Sequence, residues 1–458
     1  MRYPLALPAF AISERQNPGA AMLALGAIAM GYASSTAPWF VAVVLISVLA
    51  ALWAPAGVVA AIPAVIGITY EPLRAGRLEF APAETLIVAL VLGVGLRLLF
   101  QVASTGPTNL LSAARATVRA QASLMSVVAL GLLAAGTLSL ATLALPAYRH
   151  ESLRFYRWVI LEPLVYFALA GYYLRPRANR QLAAALFVAG GVFVALTGLL
   201  DLARGSGVAV EGVLRISGVY PHPNALALYL ERPLVFAVVL GLAYRRPVAW
   251  GWLLPGALMG VVLLFTFSRG ALLAAGIAVV LSLWLAGRRR LAGGLILAGL
   301  GGGVAIALTA TARIANLFSG GSGSLRLDVW RSALDMVRAH PVFGIGLDQF
   351  LYVYTPRYVQ PAAWSERFTS HPHDLILDLW LSLGILGVIV AAGYAFVLVH
   401  RAIRTRALRS SLAAAAIAAI VAGILHGLVD NGYFLPDLAL VWWFLTALIE
   451  AELRPGVA

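Results

Sequence analysis

Two histidines and an aspartate lie side by side in the C-terminal third of the chain, in the run His371-Pro372-His373-Asp374. Nine residues separate this run from Gly384-Ile385-Leu386-Gly387. Near neutral pH an imidazole can accept a proton from an attacking hydroxyl. The residues that follow the run are apolar enough to enter a lipid bilayer. The pattern therefore indicates proton-transfer chemistry where a polar loop meets a membrane helix.

The same histidines could instead be metal ligands. Zinc sites on helices usually take histidines one turn apart, and the i, i+2 spacing of His371 and His373 fits that pattern poorly. The chain has no cysteine, which excludes thiolate metal sites, disulfides and thiol nucleophiles. We therefore predict no metal and no cofactor, with His373 as the active histidine and His371 as a loop residue.

Arginines supply the candidate anion-binding groups. All 33 basic residues are Arg, and the formal charge is +14. A guanidinium is a planar fork that matches phosphate oxygens, so we expect Arg215, Arg269 and Arg326 to bind a phosphate group, although any single one could simply extend to lipid headgroups. Arginines that stabilise a departing pyrophosphate could replace both a metal and a general acid. No basic patch is interleaved with aromatics in a soluble domain, so we predict no nucleic-acid partner.

The elements that position these groups must be membrane helices, because 61% of the residues are hydrophobic and only 11% are charged. We predict an all-α fold, with residues 1–458 forming a single polytopic transmembrane helix bundle of about 14 spans (range 12–14). Residues 1–19 do not resemble a signal peptide, so the first helix is expected to be retained. The predicted spans are 20–34, 37–54, 56–70, 84–100, 122–145, 158–174, 181–200, 225–243, 249–267, 271–286, 291–309, 374–400, 411–428 and 434–451.

Arginine placement predicts the orientation through the positive-inside rule. Four arginine-rich connections fall on one face when the spans are counted, and we assign this face and both termini to the cytoplasm. These connections are 175–180, 245–246, 288–290 and 401–409. The candidate site then lies on the extracytoplasmic side of the plasma (inner) membrane.

The connection at 311–372 is a long extracytoplasmic loop region, and loops of this length are usually functional or disordered. Its sequence from Ser324 to His340 predicts an amphipathic helix that ends at Pro341. Leu327, Trp330, Leu334 and Val337 are expected to form the apolar face. The opposite, polar face would carry Asp328, Arg331, Asp335 and Arg338, and Arg331 is a possible supporting residue of the site.

Charged residues inside predicted spans are costly and are therefore functional candidates. Glu162 is expected to pair with one of the site arginines. Glu231 and Arg232 are neighbours that should point about 100° apart on a helix, so we expect each to have a partner on another helix rather than to pair with each other. Asp378 is a further charge inside a span, with structural pairing and site lining equally open.

The spacing around His373 resembles the signature of the O-antigen ligase and polymerase family, in which a histidine precedes a Gly-x-x-Gly motif. The family usually has Asn, Ser or Gln where this chain has Asp374, which we keep as a possible supporting residue. The resemblance covers about residues 210–450. Its other motifs occur in the family's order and are Arg215-x-x-Gly218 with Pro223-Asn224, Ser268-Arg269-Gly270, Ser324-Leu325-Arg326-Leu327-x-x-Trp330, and His340-Pro341-x-x-Gly344-x-Gly346 with Phe350.

The resemblance implies a metal-independent, inverting glycosyltransferase of cell-surface polysaccharide biosynthesis. It would move a glycan from a polyprenyl (undecaprenyl) diphosphate carrier to an acceptor hydroxyl on a glycan, lipid or protein. His373 corresponds to the catalytic base, and Arg269 and Arg326 correspond to arginines that engage the diphosphate; Arg215 is the more distant match. Ligase, polymerase and protein glycosyltransferase activities all remain open, and fourteen helices favour a polymerase slightly. The alternative is a polytopic transporter or a flippase for lipid-linked oligosaccharides, which would place its charges around a midplane site.

Overall fold

The computed structural model describes residues 15–105, 122–210, 213–243, 247–309, 322–404, 408 and 410–453. These residues are mostly helical, as the composition predicts, and they include two short antiparallel hairpins, β1–β2 (Leu73–Ala75, Leu78–Phe80) and β3–β4 (Val208–Val210, Val213–Arg215). The α-helices are α1 (Asn17–Gly31), α2 (Ala37–Trp53), α3 (Pro55–Val65), α4 (Pro82–Thr105), α5 (Leu124–Ala141), α6 (Arg149–Tyr156), α7 (Glu162–Tyr173), α8 (Arg177–Arg204), α9 (Pro223–Leu242), α10 (Leu253–Phe265), α11 (Arg269–Leu285), α12 (Arg289–Thr309), α13 (Ser322–Ala339), α14 (Phe350–Arg357), α15 (Leu375–Arg404), α16 (Ser411–Gly427) and α17 (Pro436–Leu453).

Every predicted span overlaps one of these helices. Among the described residues, five helices are long and apolar enough to cross a membrane, namely α4, α5, α8, α9 and α15. Six further apolar helices are shorter, because they end at proline, glycine or polar turns. The membrane-helix character of the fold is therefore confirmed, and the count of about 14 spans stays a prediction.

Two arginine-rich connections lie at the same end of the bundle, as the span count predicts. Arg180 Nε, near the start of α8, lies 2.5 Å from Glu452 Oε2 in α17. The Ser410 hydroxyl, just before α16, donates to the other oxygen of Glu452 at 2.7 Å. Arg401, near the end of α15, lies 3.3 Å from Glu450. The starts of α15 and α17 therefore lie at the opposite end, together with the polar motifs. The assignment of these ends to the two sides of the membrane stays a prediction, and residues 1–14 and 454–458 lie outside the described part.

The packed centre of the bundle contains a buried ionic group on α9 and α16. Glu231 Oε2 lies 2.9 Å from His426 Nδ1, and Arg232 Nη2 donates to the backbone oxygen of Gly432 at 2.9 Å. Each residue thus has a partner on another element, as expected. The expectation that the two would not pair is wrong, because the long Arg232 side chain reaches Glu231 Oε1 at 3.4 Å. Through Gly432, Arg232 also holds the turn between α16 and α17.

Helix α15 is broken at Gly384, which has φ 67° and ψ −166°. In an unbroken helix the Ile385 N–H would donate to Leu381 O, four residues earlier. Instead Ile385 N donates to Val342 O at 3.0 Å, and Leu381 O accepts from Ile345 N at 2.7 Å. The loop 341–347 therefore supplies the hydrogen-bond partners that the helix lacks at the break. The positive φ of Gly384 and the close approach of the Val342 carbonyl require glycine at this position.

We expect Gly384→Ala to lower stability by about 2 kcal/mol or more, because this backbone region is nearly closed to other residues. An alanine Cβ would also lie 2.2 Å from Val342 O. The effect is measurable as a lower thermal unfolding temperature of the purified protein in detergent. Gly393→Ala is the matched control on the same helix, where a Cβ would meet only Val128 Cγ2 at 4.0 Å. Equal unfolding temperatures for the two variants would contradict this account of the break.

Residues 322–374 fold over the start of α15 and form a small apolar core together with Leu381 of that helix. The amphipathic helix is present as α13, but its buried face is rotated from the predicted one. Val337 of the predicted face is buried together with Val329, Ala333 and Met336, whereas Leu327 and Leu334 are exposed. The amphipathic pattern alone could not choose between these faces, because apolar residues occur on both. The rotation turns Arg326 toward the turn between α16 and α17.

Candidate functional site

The candidate site is organised around Asp430, a buried residue in the turn between α16 and α17. Its Oδ1 lies 3.2 Å from His373 Nδ1 and 3.5 Å from His371 Nε2. Its Oδ2 accepts a hydrogen bond from Arg326 Nη2 at 3.0 Å. Asp430 Oδ1 also accepts from the backbone N–H of Asn431 at 2.8 Å, which orients the carboxylate. One carboxylate therefore joins the predicted base to a predicted phosphate-binding arginine.

His373 is held in a strained backbone conformation, with φ 54°. Such strain in a residue that is not glycine is typical of functional sites, where surrounding contacts impose it. The Trp330 indole donates to the His373 carbonyl at 3.2 Å, and this contact ties the loop to α13. The backbone conformation of His373 therefore orients its imidazole toward Asp430.

The contacts of His373 indicate its proton arrangement. An ionised carboxylate only accepts, so the Nδ1 that faces Asp430 carries the proton. Nε2 is then the basic nitrogen, and it lies 3.2 Å from the Thr369 hydroxyl. That hydroxyl also lies 3.1 Å from the carbonyl of His371, to which it can donate instead. A substrate hydroxyl could therefore take the place of Thr369 at Nε2 without leaving Thr369 unpaired.

Electrostatics favour a neutral imidazole beside an ionised carboxylate. Burial and the neighbouring His371 lower the pKa of His373, and the opposing effect of Asp430 only partly offsets them. Burial raises the pKa of Asp430, but hydrogen bonds to His371 and His373 and the charge of Arg326 outweigh burial and hold it well below its usual range. At neutral pH the pair is thus ready to accept one proton at His373.

Arg215, at the end of β4, fixes the loop that leads into α9. Its Nε donates to Thr266 O at 2.5 Å, and its Nη2 donates to Asn224 Oδ1 at 2.6 Å. His222 caps α9 by accepting from Asn224 N at 3.1 Å. Burial and the charges of Arg215 and Arg326 lower the pKa of His222, so it lies within electrostatic reach of both guanidiniums. Arg215 therefore borders the Asp430 cluster without contacting it.

Arg269 begins α11 and is exposed. It follows Phe267, another residue with positive φ (52°). The adjacent Gly270 lies against His426 and Val429, which precede Asp430 in the chain. The start of α11 therefore packs beside the turn that carries Asp430, and Arg269 lies at the same end of the bundle as Arg326.

The three possible supporting residues, Asp374, Arg331 and Glu162, lie outside the cluster around Asp430. Asp374 Oδ1 accepts from the Leu377 N–H at 2.8 Å, as a residue that caps α15 does. Arg331 lies 2.7 Å from Asp328 on the exposed side of α13. Glu162 lies 3.3 Å from Arg157 Nε, so its arginine partner is none of the three phosphate-binding candidates.

Two features of the site were not predicted from the sequence. Asp430 is one of them, although a signal existed, since the predicted topology puts residues 429–433 on the same side as His373. The other is His371, expected to be a plain loop residue, whose ring centroid lies 4.3 Å from that of His373. Ligand atoms of His371, His373 and Asp430 lie within 4.8 Å of one another, so these three could hold a cation. Arg326 competes for the same carboxylate and disfavours a second positive charge there.

Comparison with curated proteins gave no match. Residues 254–392 match the family model described as O-antigen ligase. This segment runs from α10 into α15 and includes Arg269, Arg326 and His373, while Arg215 and Asp430 lie outside it. With its apolar helices, the chain is a multi-pass membrane protein. Over these residues the chain is similar to the O-antigen ligase family, which confirms the resemblance seen in the motifs around Arg326 and His373.

Proposed function

We propose that this protein transfers a glycan from a polyprenyl diphosphate carrier, such as undecaprenyl diphosphate, to an acceptor hydroxyl at the outer face of the plasma membrane. The observation that carries the proposal is the contact of His373 and Arg326 with the same carboxylate, Asp430. This contact puts a base and an anion-binding group beside each other. A glycosyl transfer from a diphosphate needs both groups at one carbon atom.

The proposed step is a direct displacement. The acceptor oxygen forms a bond to the anomeric carbon while the bond from that carbon to the diphosphate oxygen breaks, so the configuration inverts. His373 Nε2 takes the hydroxyl proton, and the resulting imidazolium is stabilised by Asp430 through Nδ1. The diphosphate leaves with the bonding electron pair. No metal and no nucleotide sugar take part in this scheme.

Arg326 is proposed to stabilise the negative charge that develops on the departing diphosphate. Its Nη2 is held by Asp430, which leaves the N–H groups on Nη1 and Nε for phosphate oxygens. The Asp430 contact also fixes the plane of the guanidinium, so the side chain loses little conformational freedom when the donor binds. Arg269 and Arg215 are proposed as further contacts to the diphosphate at the same end of the bundle.

Purified protein in lipid vesicles distinguishes the candidate functions. The protein is incubated with polyprenyl diphosphate glycan alone, and the products are separated by size. Longer lipid-linked chains would indicate a polymerase, and a reaction that starts only when another acceptor is added would indicate a ligase. Movement of the lipid across the membrane without a new glycosidic bond would favour the flippase alternative and contradict the proposal.

We expect Arg326→Ala to lower kcat/KM for the donor by about 10²- to 10³-fold, the effect typical of removing one transition-state donor. Arg326→Lys should recover only part of the activity, because an ammonium cannot replace the planar fork. Initial rates at varied donor concentration measure the effect. Arg338→Ala is the control on the same helix, since Arg338 is exposed and pairs with Asp335. Similar losses for Arg326→Ala and Arg338→Ala would contradict a specific diphosphate contact.

Transfer should depend on pH through His373. The neutral imidazole is the active form, so activity falls when the pH drops through the pKa of His373. Because burial and His371 lower that pKa, the midpoint of the acid limb is expected below the usual histidine value of 6.5. A profile of kcat/KM against pH measures it. A midpoint above 6.5 would contradict the proposed state of His373.

A further inference from the structure

A cavity opens beside His371, on the side of the histidine pair toward α6 and α15. About 400 Å³ of empty space lies within the cavity and its open mouth together. His371, Asp348, Asp378 and Ser382 contribute its polar groups, and Phe155 and Phe434 contribute aromatic surface. His371 lines the cavity, and its ring centroid lies 4.3 Å from that of His373, so the cavity borders the histidine pair.

One polar atom in this cavity has no partner within the described residues. Asp378 is only 4% exposed, and its Oδ1 accepts from the Ser382 hydroxyl at 3.2 Å. Its Oδ2 makes no hydrogen bond in the described part of the chain. A buried carboxylate oxygen without a partner is costly, and a carboxylate can only accept. The atom therefore suits a ligand that brings an O–H or N–H donor.

The apolar part of the lining suits a flat ligand with non-polar faces. The rings of Phe155 and Phe434 are nearly parallel, at 17°, with their centroids 6.4 Å apart. Aromatic walls with a few placed polar groups are the usual composition of small-molecule sites. A sugar ring combines hydroxyl donors at its edge with C–H groups on its faces. It therefore matches both the carboxylates and the aromatic rings.

The charge of the cavity limits the kind of sugar. Its two ionisable acidic residues are Asp348 and Asp378, and the described lining includes no arginine. A carboxylate or phosphate on the ligand would meet these two acidic groups and no guanidinium partner in the described lining, so the cavity favours an uncharged ligand. Resting on the proposed function, we propose that this cavity binds the acceptor as a neutral sugar ring, with the reacting hydroxyl toward the histidine pair. Asp378 and Ser382 would then set acceptor affinity and specificity, while Arg326 serves the donor.

Direct binding tests this site independently of transfer. Saturation-transfer difference NMR on the protein in nanodiscs would use a panel of neutral methyl hexopyranosides and the methyl glucuronide as probes. We expect at least one neutral glycoside to bind and the glucuronide to bind at least about tenfold more weakly. Asp378→Asn and Ser382→Ala should each weaken neutral-sugar binding about fivefold or more, and either variant suffices if the other fails to fold. Asp335→Asn, an exposed change on α13, should leave binding unchanged.

Transfer kinetics supply the second readout. When each substrate is varied at saturating levels of the other, Asp378→Asn should raise KM for the acceptor about tenfold and leave KM for the donor unchanged, a split that a general loss of structure would not produce. No binding of any neutral glycoside, preference for the glucuronide, or unchanged acceptor KM would overturn the inference. Sugar binding that is lost in Asp378→Asn, in a protein that transfers no glycan, would instead overturn the proposed function and leave the sugar site standing.

Discussion

Replacement of His373 by asparagine is expected to lower glycan transfer by about 10²- to 10⁴-fold, the usual contribution of a general base. Asparagine tolerates the left-handed backbone conformation at this position better than most residues, so the variant should fold. It retains a polar side chain toward Asp430 but has no basic nitrogen. KM for the donor should change little, because the arginines that are proposed to bind the diphosphate remain. Product formation with saturating donor and acceptor measures the loss.

Two histidine controls accompany this variant. His150→Asn changes an exposed histidine on α6 and should retain full activity. His371→Asn removes the histidine that also borders Asp430, and it should reduce transfer far less than His373→Asn if Nε2 of His373 takes the proton. Retention of more than about a tenth of the activity in His373→Asn would contradict the role of His373. The reverse order of the two losses would move that role to His371.

Replacement of Asp430 by asparagine is expected to lower transfer by about 10²- to 10³-fold. Asparagine keeps the shape of the side chain, but its amide N–H₂ can face His373 Nδ1 and favour the tautomer that carries its proton on Nε2, which cannot act as a base. The change also removes the negative charge that Arg326 contacts at 3.0 Å. Unlike His373→Asn, this variant should therefore alter both kcat and KM for the donor. Initial rates over a grid of donor and acceptor concentrations separate the two effects.

The pH profile provides a second measurement on the Asp430→Asn protein. Asp430 raises the pKa of His373 against burial and the His371 charge. Without it, the acid limb of the remaining activity should move to lower pH. Asp328→Asn, which changes an aspartate on α13 that pairs with Arg331, is the control and should leave both rate and profile unchanged. Normal activity and an unmoved profile in Asp430→Asn would show that the carboxylate does not position the base.

The motif residues of the site could be recognised in the sequence, whereas their common partner, Asp430, could not. His373, Arg269 and Arg326 each lie in a short local pattern, and such patterns can be recognised from the sequence alone. Asp430 lies far from these patterns in the chain, and α16 returns it to the same end of the bundle as the start of α15. Its contacts join residues separated by 57 and 104 positions. Side-chain periodicity carries no information about pairs so far apart.

The Gly384 region likewise combines motifs that the sequence shows with a contact between them that only the folded chain makes. The motifs His340-Pro341-x-x-Gly344-x-Gly346 and Gly384-x-x-Gly387 were recognised separately, and the helix between His373 and Gly384 was expected to continue. The structure shows that Gly384 gives up one helical hydrogen bond and that the loop after Pro341 replaces it. Propensity alone could not show the break, because a glycine within a helix is tolerated at about 1 kcal/mol relative to alanine. The replacement partner comes from a distant segment.

From the sequence alone one can predict the membrane-helix class, the position of the connections 175–180 and 401–409 at one end of the bundle, and the histidine proposed as the base. These follow from composition, from hydrophobic length and from local spacing, which are properties of the chain alone. The buried face of α13, the partners of Glu231 and Arg232, and the contacts of His371, His373 and Arg326 with Asp430 follow from the tertiary structure. Those outcomes depend on which surfaces meet when the helices pack, and a buried charge takes whichever partner the packing brings within reach.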